Sequence, residues 1–209
     1  MSDSVLEKNR GMIRYIAVTA LMGAIAAAIQ FLEFSVPIMP GFIKLDFSEL
    51  PALISAFALG PVSGGCVCLI KNLFKLLTTQ TGGIGELANF LIGICLVIPA
   101  GLIYRADRTR RGAIIGCLGG SLCMALLSLP VNYFITYPIY EKFMPIDAII
   151  GAYQAINPNV NGLLGCLVMF NMPFTFCKGL IDSIITFAVY KRLSPVIKGR
   201  KEKKEPAGV

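Results

Sequence analysis

Long apolar runs divide this chain, and they limit its fold more than any other feature. Five windows, at residues 12–31, 62–78, 87–104, 113–135 and 173–190, are roughly 17–23 residues long with few charges, the length a helix needs to cross a hydrocarbon core of about 30 Å. Backbone in lipid must satisfy its own hydrogen bonds, so such runs read as α-helices. Soluble domains carry about a quarter charged residues. Here 15% are charged and 56% are hydrophobic, with a mean hydropathy of +0.72. A sixth apolar segment, from Ser48 to Leu59, is too short to cross alone. The reading is an all-α integral membrane protein: a six-transmembrane-helix bundle over residues 1–192, then a charged tail at 193–209.

Charge sets the expected orientation. Seven Lys/Arg follow the last run from Lys191 onward, four lie between Arg105 and Arg111, and three (Lys8, Arg10, Arg14) precede the first. Only Lys44 and Lys142 fall in the other connections. The positive-inside rule then places both termini and the Arg105–Arg111 loop in the cytoplasm. Basic clusters also bind nucleic acid, but their position at membrane exits argues for topology and against that partner. With no histidine and no C-x-x-C pair among seven cysteines, no metal centre is expected.

The first outer loop, SVPIMPGFIKLDFSEL, is held extended by Pro37, Pro40 and Gly41. Ser48 is placed to cap the second helix, with Pro51 tolerated in its first turn. Because that helix is short, the loop is expected to dip into the bundle, where buried backbone is allowed. Gly60-Pro61 makes the next turn. Residues 136–172 read as a long outer segment with a short helix near 147–155 and an apolar stretch, 162–170, too short to span.

Two stripes of small residues recur at four-residue spacing: Ala20, Ala24 and Ala28 in the first helix, Gly112, Gly116 and Gly120 in the fifth. Such stripes allow close helix approach, either within the bundle or against a partner. The nearly continuous alanine of residues 24–28 favours a partner for the first helix. Ionisable groups inside spans are costly and therefore candidates for function. Lys178 and Asp182, with Thr175, share one helix face, as a working site or as a self-neutralising pair. Lys71 and Lys75 form a second basic pair, for which Asp46 or Glu49 is the available counter-charge. Asn132 and Tyr133 near the end of the fifth helix, and Glu86 and Asn89 at the start of the fourth, fall at a similar depth. With Thr175 and Lys178, and walls of Phe42, Phe90, Tyr133 and Phe174, they would suit a flat polar heterocycle. The stretch Gly83-Ile-Gly85-Glu-Leu-Ala88 fits a dinucleotide fingerprint but lacks the strand and parallel α/β unit it requires. It reads as a glycine turn.

With these residues in place, the chain resembles the substrate-binding S-component of energy-coupling factor (ECF) vitamin transporters, closest to the riboflavin-specific branch. The resemblance rests on Lys44-Leu-Asp-Phe-Ser-Glu-Leu-Pro51, Gly85-Glu-Leu-Ala-Asn-Phe-Leu-Ile-Gly93, Pro99-Ala-Gly-Leu-Ile-Tyr-Arg105, Asn132-Tyr133 and the Pro173-Phe174…Lys178-Gly179 pattern. It implies a bacterial cell-membrane uptake subunit with riboflavin as bound substrate, no cofactor and no catalytic residue. The flavin pocket would lie under the first loop, at Phe42, Lys44, Leu45 and Asp46, with Asn132 and Lys178 as flavin contacts. Thr175 stands where the family usually has asparagine, with Asn171 one turn away as a substitute. The Ala20–Ala24–Ala28 face would dock on a transmembrane coupling subunit driven by two ATPase subunits. This agrees with the absence of a P-loop here. The alternatives are the same scaffold with another vitamin or flavin, such as FMN, a membrane-embedded enzyme, and a self-contained channel or carrier.

Overall fold

The computed structural model describes residues 3–79 and 81–198. Helix α1 (Asp3–Gln30) leads into a short ribbon, β1 (Phe34–Ser35) antiparallel to β2 (Lys44–Leu45), with Phe34 opposite Leu45 and Ser35 opposite Lys44. The all-α expectation takes this one correction. Two turns fold the intervening loop back on itself, with Met39 N–H donating to Val36 O at 2.9 Å and Ile43 N–H to Pro40 O at 2.8 Å.

Helix α2 (Glu49–Leu59) has eleven residues, eight of them buried. At 1.5 Å per residue it spans roughly 16 Å, about half the hydrocarbon thickness. It is the central strut, packed against α1 and against the helices that begin at Pro61, Ile84 and Met172. Gly60, at φ 111°, reverses the chain. Pro61 then opens α3 (Pro61–Lys75), where a missing N–H costs nothing. Ala52 O would lie 2.8 Å from a Cβ at Gly64, so glycine is what lets α3 approach α2. A 3₁₀ turn (Leu76–Thr78) ends this arm.

Helices α4 (Ile84–Ala106) and α5 (Arg110–Val131) form the tightest pair. A Cβ at Gly116 would come within 2.8 Å of Ala100 O, and one at Gly120 within 2.5 Å of Leu96 O. The glycine stripe is therefore internal packing. The alanine stripe is not: Ala20, Ala24 and Ala28 are exposed, while Thr19, Met22, Gly23 and Ala26 turn inward.

Beyond α5 the sequence reading requires correction twice. The fifth run does not end near residue 135; a π-helical turn (Asn132–Thr136) carries it into α6 (Tyr137–Tyr140). After α7 (Ile146–Gln154), α8 (Gly162–Cys166) passes through a second π turn (Leu167–Asn171) into α9 (Met172–Lys198). The 162–170 stretch, read as too short to span, is thus the first part of the last span. Each π turn stands just ahead of a proline, Pro138 or Pro173. Proline removes an N–H and its ring clashes with the carbonyl four residues earlier. Here Tyr137 N–H bonds back to Asn132 O and Met172 N–H to Leu167 O, five residues each. This wider turn accommodates both prolines without breaking the helix.

Among the described residues, four helical runs are long and apolar enough to cross a membrane: Asn9–Gln30, Ile84–Ala106, Arg110–Tyr140 and Gly162–Tyr190. Only 28–39% of their most apolar windows is buried. Leu21, Ile25, Leu118, Leu122 and Ile184 face outward, the arrangement suited to lipid rather than water. The buried core is small-residue rich, with Ala26, Ala52, Ala56 and Ala100 around Leu53, Phe57, Leu96 and Met124. A second cluster around Tyr137, Ile149, Tyr153 and Leu167 closes the ribbon end of the bundle. Helix α9 continues to Lys198, and residues 199–209 of the charged tail lie outside the described residues.

Candidate functional site

A cavity of about 230 Å³ opens at the ribbon end between α4, α5, α6, α7 and α9. Its walls are largely apolar, from Phe42, Ala88, Ile92, Met124, Ile149 and Phe174. Into it project Asn89, Asn132, Thr136, Asn171, Thr175 and Lys178. The π turns account for much of this polar set. Asn132 and Thr136 are four apart on the first turn, and Asn171 ends the second, with Thr175 and Lys178 following on the same face. An adjoining cavity of about 560 Å³ shares Phe42, Lys44, Gly85, Asn89 and Tyr140. It adds Gln30, Glu33, Asp46, Thr81 and Glu86, so a polar lobe continues from the apolar one.

The floor is a buried ionic cluster. Lys178 Nζ donates to Asp46 Oδ2 at 2.9 Å and lies 3.2 Å from Glu49 Oε2. Lys71 Nζ donates to Glu49 Oε1 at 2.7 Å and to Ser48 Oγ at 2.5 Å. Ser48 Oγ donates in turn to Asp46. Glu49 is thus the counter-charge of Lys71, one of the two carboxylates open on sequence. The Lys178–Asp182 ion pair is not formed: Lys178 reaches across the bundle instead. Ser48 stands at the N-terminus of α2, but its hydroxyl makes no capping bond, because the cluster has taken it. Burial alone would raise the Asp46 carboxyl; Lys178 and Lys71 outweigh that and hold it well below the usual carboxylate range. An ammonium has three donors. Asp46 takes one as a hydrogen bond and Glu49 draws the same ammonium electrostatically, so Lys178 keeps a donor for the cavity it lines.

The roof is the segment between α6 and α8, whose role the sequence left open. Tyr153, fully buried on α7, shares a 2.7 Å hydrogen bond with Tyr137 OH and donates to Asn171 Oδ1 at 2.5 Å. Asn171 Nδ2 closes the ring on Tyr137 OH at 3.3 Å. Phe42 meets Tyr153 edge-on at 5.9 Å, joining the first loop to this roof. Asn171 therefore faces the cavity as expected, with one amide hydrogen and one lone pair already used.

Not every expected residue converges. Tyr133 is 41% exposed and packs edge-on against Phe134 outside the cavity; within the π turn it is Asn132 and Thr136 that face inward. Phe90 packs into the core instead, and Leu45 is taken up by ribbon pairing with Phe34. Glu86 sits in the adjoining lobe, accepting from Thr79 at 2.9 Å and Thr81 at 3.2 Å. Lys44 lines both lobes and donates to Glu33 at 2.7 Å; Glu33 also lies 3.1 Å from Lys75. Burial would raise the Glu33 carboxyl, but Lys44 and Lys75 pull it lower than usual. Thr136, Tyr137, Tyr140 and Ile149 were missed. Pro138 was the available signal for the first three, since a proline in an unbroken apolar run marks a helix distortion.

A family profile described as "ECF transporter, substrate-specific component" matches residues 14–190. The riboflavin transporter RibU of Staphylococcus aureus (strain TCH60) is 30% identical over 193 residues, 92% of this chain and 95% of its own. The riboflavin transporter FmnP of Bacillus subtilis (strain 168) is 25% identical over 90% of this chain and 96% of its own. A solved S component of a bacterial ECF transporter superposes with a TM-score of 0.71 at 29% identity, over 90% of this chain and 99% of that one. Fold, length and sequence agree, and the chain belongs to the ECF transporter substrate-specific component family.

Proposed function

We propose that this chain is the riboflavin-binding subunit of a bacterial uptake transporter. The carrying observation is the two-lobed cavity. Its apolar lobe, with Asn132, Thr175 and Lys178 converging over the Phe174 and Phe42 walls, fits a flat heteroaromatic ring whose carbonyl and imide edge needs donors and an acceptor. Its polar lobe, with Asn89, Glu86 and Thr81, fits the hydroxylated ribityl chain. The names of the relatives support the same substrate. Threonine at 175 offers one hydroxyl where an amide would offer a donor and an acceptor; the spare valences of Asn171 and the free donor of Lys178 supply the remainder. No step is catalytic: binding is by shape and hydrogen bonds, and riboflavin is cargo.

The remaining assignments follow from that role. Six helices cross the bacterial cell membrane, the short α2 and the fifteen-residue α3 acting as two of them. Both termini are cytoplasmic, on the charge asymmetry of the connections. The exposed stripe Ala20–Ala24–Ala28 docks on a transmembrane coupling subunit, with ATP hydrolysed by two further subunits. Residues 1–192 form the substrate-binding domain and 193–209 a cytoplasmic tail. Quenching of flavin fluorescence by detergent-purified protein tests the substrate directly. A protein that leaves micromolar riboflavin unquenched but binds another vitamin would overturn the substrate while leaving the family intact.

A further inference from the structure

One buried acid takes no part in the site described above. Asp182 lies on α9, one turn below Lys178, and is fully buried. Neither of its carboxyl oxygens has a hydrogen-bond partner among the described residues. Two more orphaned oxygens accompany it, Ser121 Oγ on α5 and Thr186 Oγ1 on α9, and both of these residues are also fully buried. Thr186 is four residues from Asp182 and shares its helix face. Ser121 Oγ would lie 2.9 Å from a Cβ at Gly179, which places it against the same stretch of α9.

The charge inventory around Asp182 does not close if it is ionised. The groups facing it are Lys178 on its own helix, Glu49 of α2, Asp46 of the first loop and Lys71 of α3; Cys117 of α5 lies beside the neighbouring Ser183. Both ammonium groups are already committed, Lys178 to Asp46 and Glu49, Lys71 to Glu49. Three carboxylates against two ammoniums would leave one bare buried negative charge, which costs several kcal/mol per ion. Such a group neutralises itself or acquires a counter-ion. Buried polar atoms without protein partners are typically met by internal water.

We propose that Asp182 carries a proton, and that its uncharged carboxyl, with Ser121 and Thr186, forms a water-bridged polar site on the α5–α9 seam beneath the cavity. The cluster above it is then neutral. Lys178 is held upward by Asp46 and Glu49, not drawn down one turn towards Asp182, and its remaining donor stays with the cavity. What counts is the neutrality of the Asp182 side chain, which Asp182→Asn preserves.

Infrared spectra of detergent-purified protein labelled with ¹³C-carboxyl aspartate test this without any ligand, so the result is independent of the flavin assignment. The expected result is a label-sensitive carbonyl band of a protonated carboxylic acid at neutral pH, shifted in heavy water and lost in Asp182→Asn. Riboflavin affinity of Asp182→Asn should stay within about threefold of wild type. Absence of the band, or its survival in Asp182→Asn, overturns the proposal. Riboflavin binding that falls when sodium is replaced by choline, with the dependence lost in Asp182→Asn, would assign a metal cation to the site and overturn the proton. Should the variant fail to fold, the labelled wild-type spectrum with and without sodium decides between the same outcomes.

Discussion

Lys71 offers the sharpest test of how the cavity floor is built. It is fully buried, holds Glu49 at 2.7 Å and Ser48 at 2.5 Å, and does not line the cavity. Removing one partner of such a pair costs about 3–5 kcal/mol, whereas replacing both with apolar groups is often neutral. Lys71→Met falls at the low end, near 3 kcal/mol, because Glu49 keeps Lys178 at 3.2 Å. At about 2–4 °C per kcal/mol for a chain of this size, Tm should drop by about 6–12 °C. The double variant Lys71→Met/Glu49→Leu removes the stranded carboxylate. Lys178 still holds Asp46 at 2.9 Å, so the double variant should recover to within about 2–4 °C of wild type. The assay is thermal unfolding in one detergent at a fixed scan rate. A Lys71→Met protein as stable as wild type, or a double variant no better than that single one, would refute the reasoning.

Other consequences are open to direct measurement. Asn132→Ala should weaken riboflavin binding by about tenfold, the loss of one to two buried hydrogen bonds, with Tm nearly unchanged; equal affinity would remove Asn132 from the flavin edge. Tyr153→Phe breaks the ring with Tyr137 and Asn171, leaving the Asn171 acceptor unmet at a cost of about 1–2 kcal/mol, and stopped-flow quenching should show faster flavin release as the roof loosens. Ala24→Trp should abolish uptake in cells yet leave riboflavin binding to the purified protein intact; normal uptake would return the stripe to plain lipid contact. Asp46, held low by its lysines, supports the fold above its unfolded pKa and loses that contribution only as pH falls through its lower folded value. Binding should therefore be flat from about pH 8 to about pH 5, and a midpoint near pH 6 would contradict the cluster as drawn.

How much of this the sequence carried depends on the reach of each interaction. The α1 and α4 spans were legible because each is a local run bounded by charge or glycine. Lys71 with Glu49 was legible as a need for a counter-charge 22 residues away. Lys178 with Asp46 was not, since the partners stand 132 residues apart and an i,i+4 aspartate lay closer at hand. Pro138 and Pro173 concealed the true lengths of the last two spans, because a proline reads as a helix end when no neighbouring turn has widened to absorb it. The alanine and glycine stripes have the same spacing and opposite fates. The difference is the neighbour: Ala100 and Leu96 lie against Gly116 and Gly120, while no described helix covers Ala24.

The first loop is held by two ionic clasps of unequal strength, and their positions bear on how a ligand could pass. At its rim, Glu33 meets Lys44 and Lys75 on partly exposed side chains. Pairs of that kind contribute about 0–1 kcal/mol and weaken with salt. At its root, Asp46 meets Lys178 with both side chains under 10% exposed, where loss of one partner costs several times more. Displacement of the loop therefore meets least resistance at the ribbon, over the polar lobe, while the root and the Lys178 donor stay fixed. On the proposed role, the donors offered to the heterocycle are thereby tied to the strong clasp and the loop tip to the weak one, and α7 closes the opposite wall through Tyr153 and Phe42. Breaking the Glu33 clasp alone would leave Asp46, Glu49, Lys71 and Lys178 paired, so the loop tip is the less costly part of this closure to disturb and the buried floor the more costly.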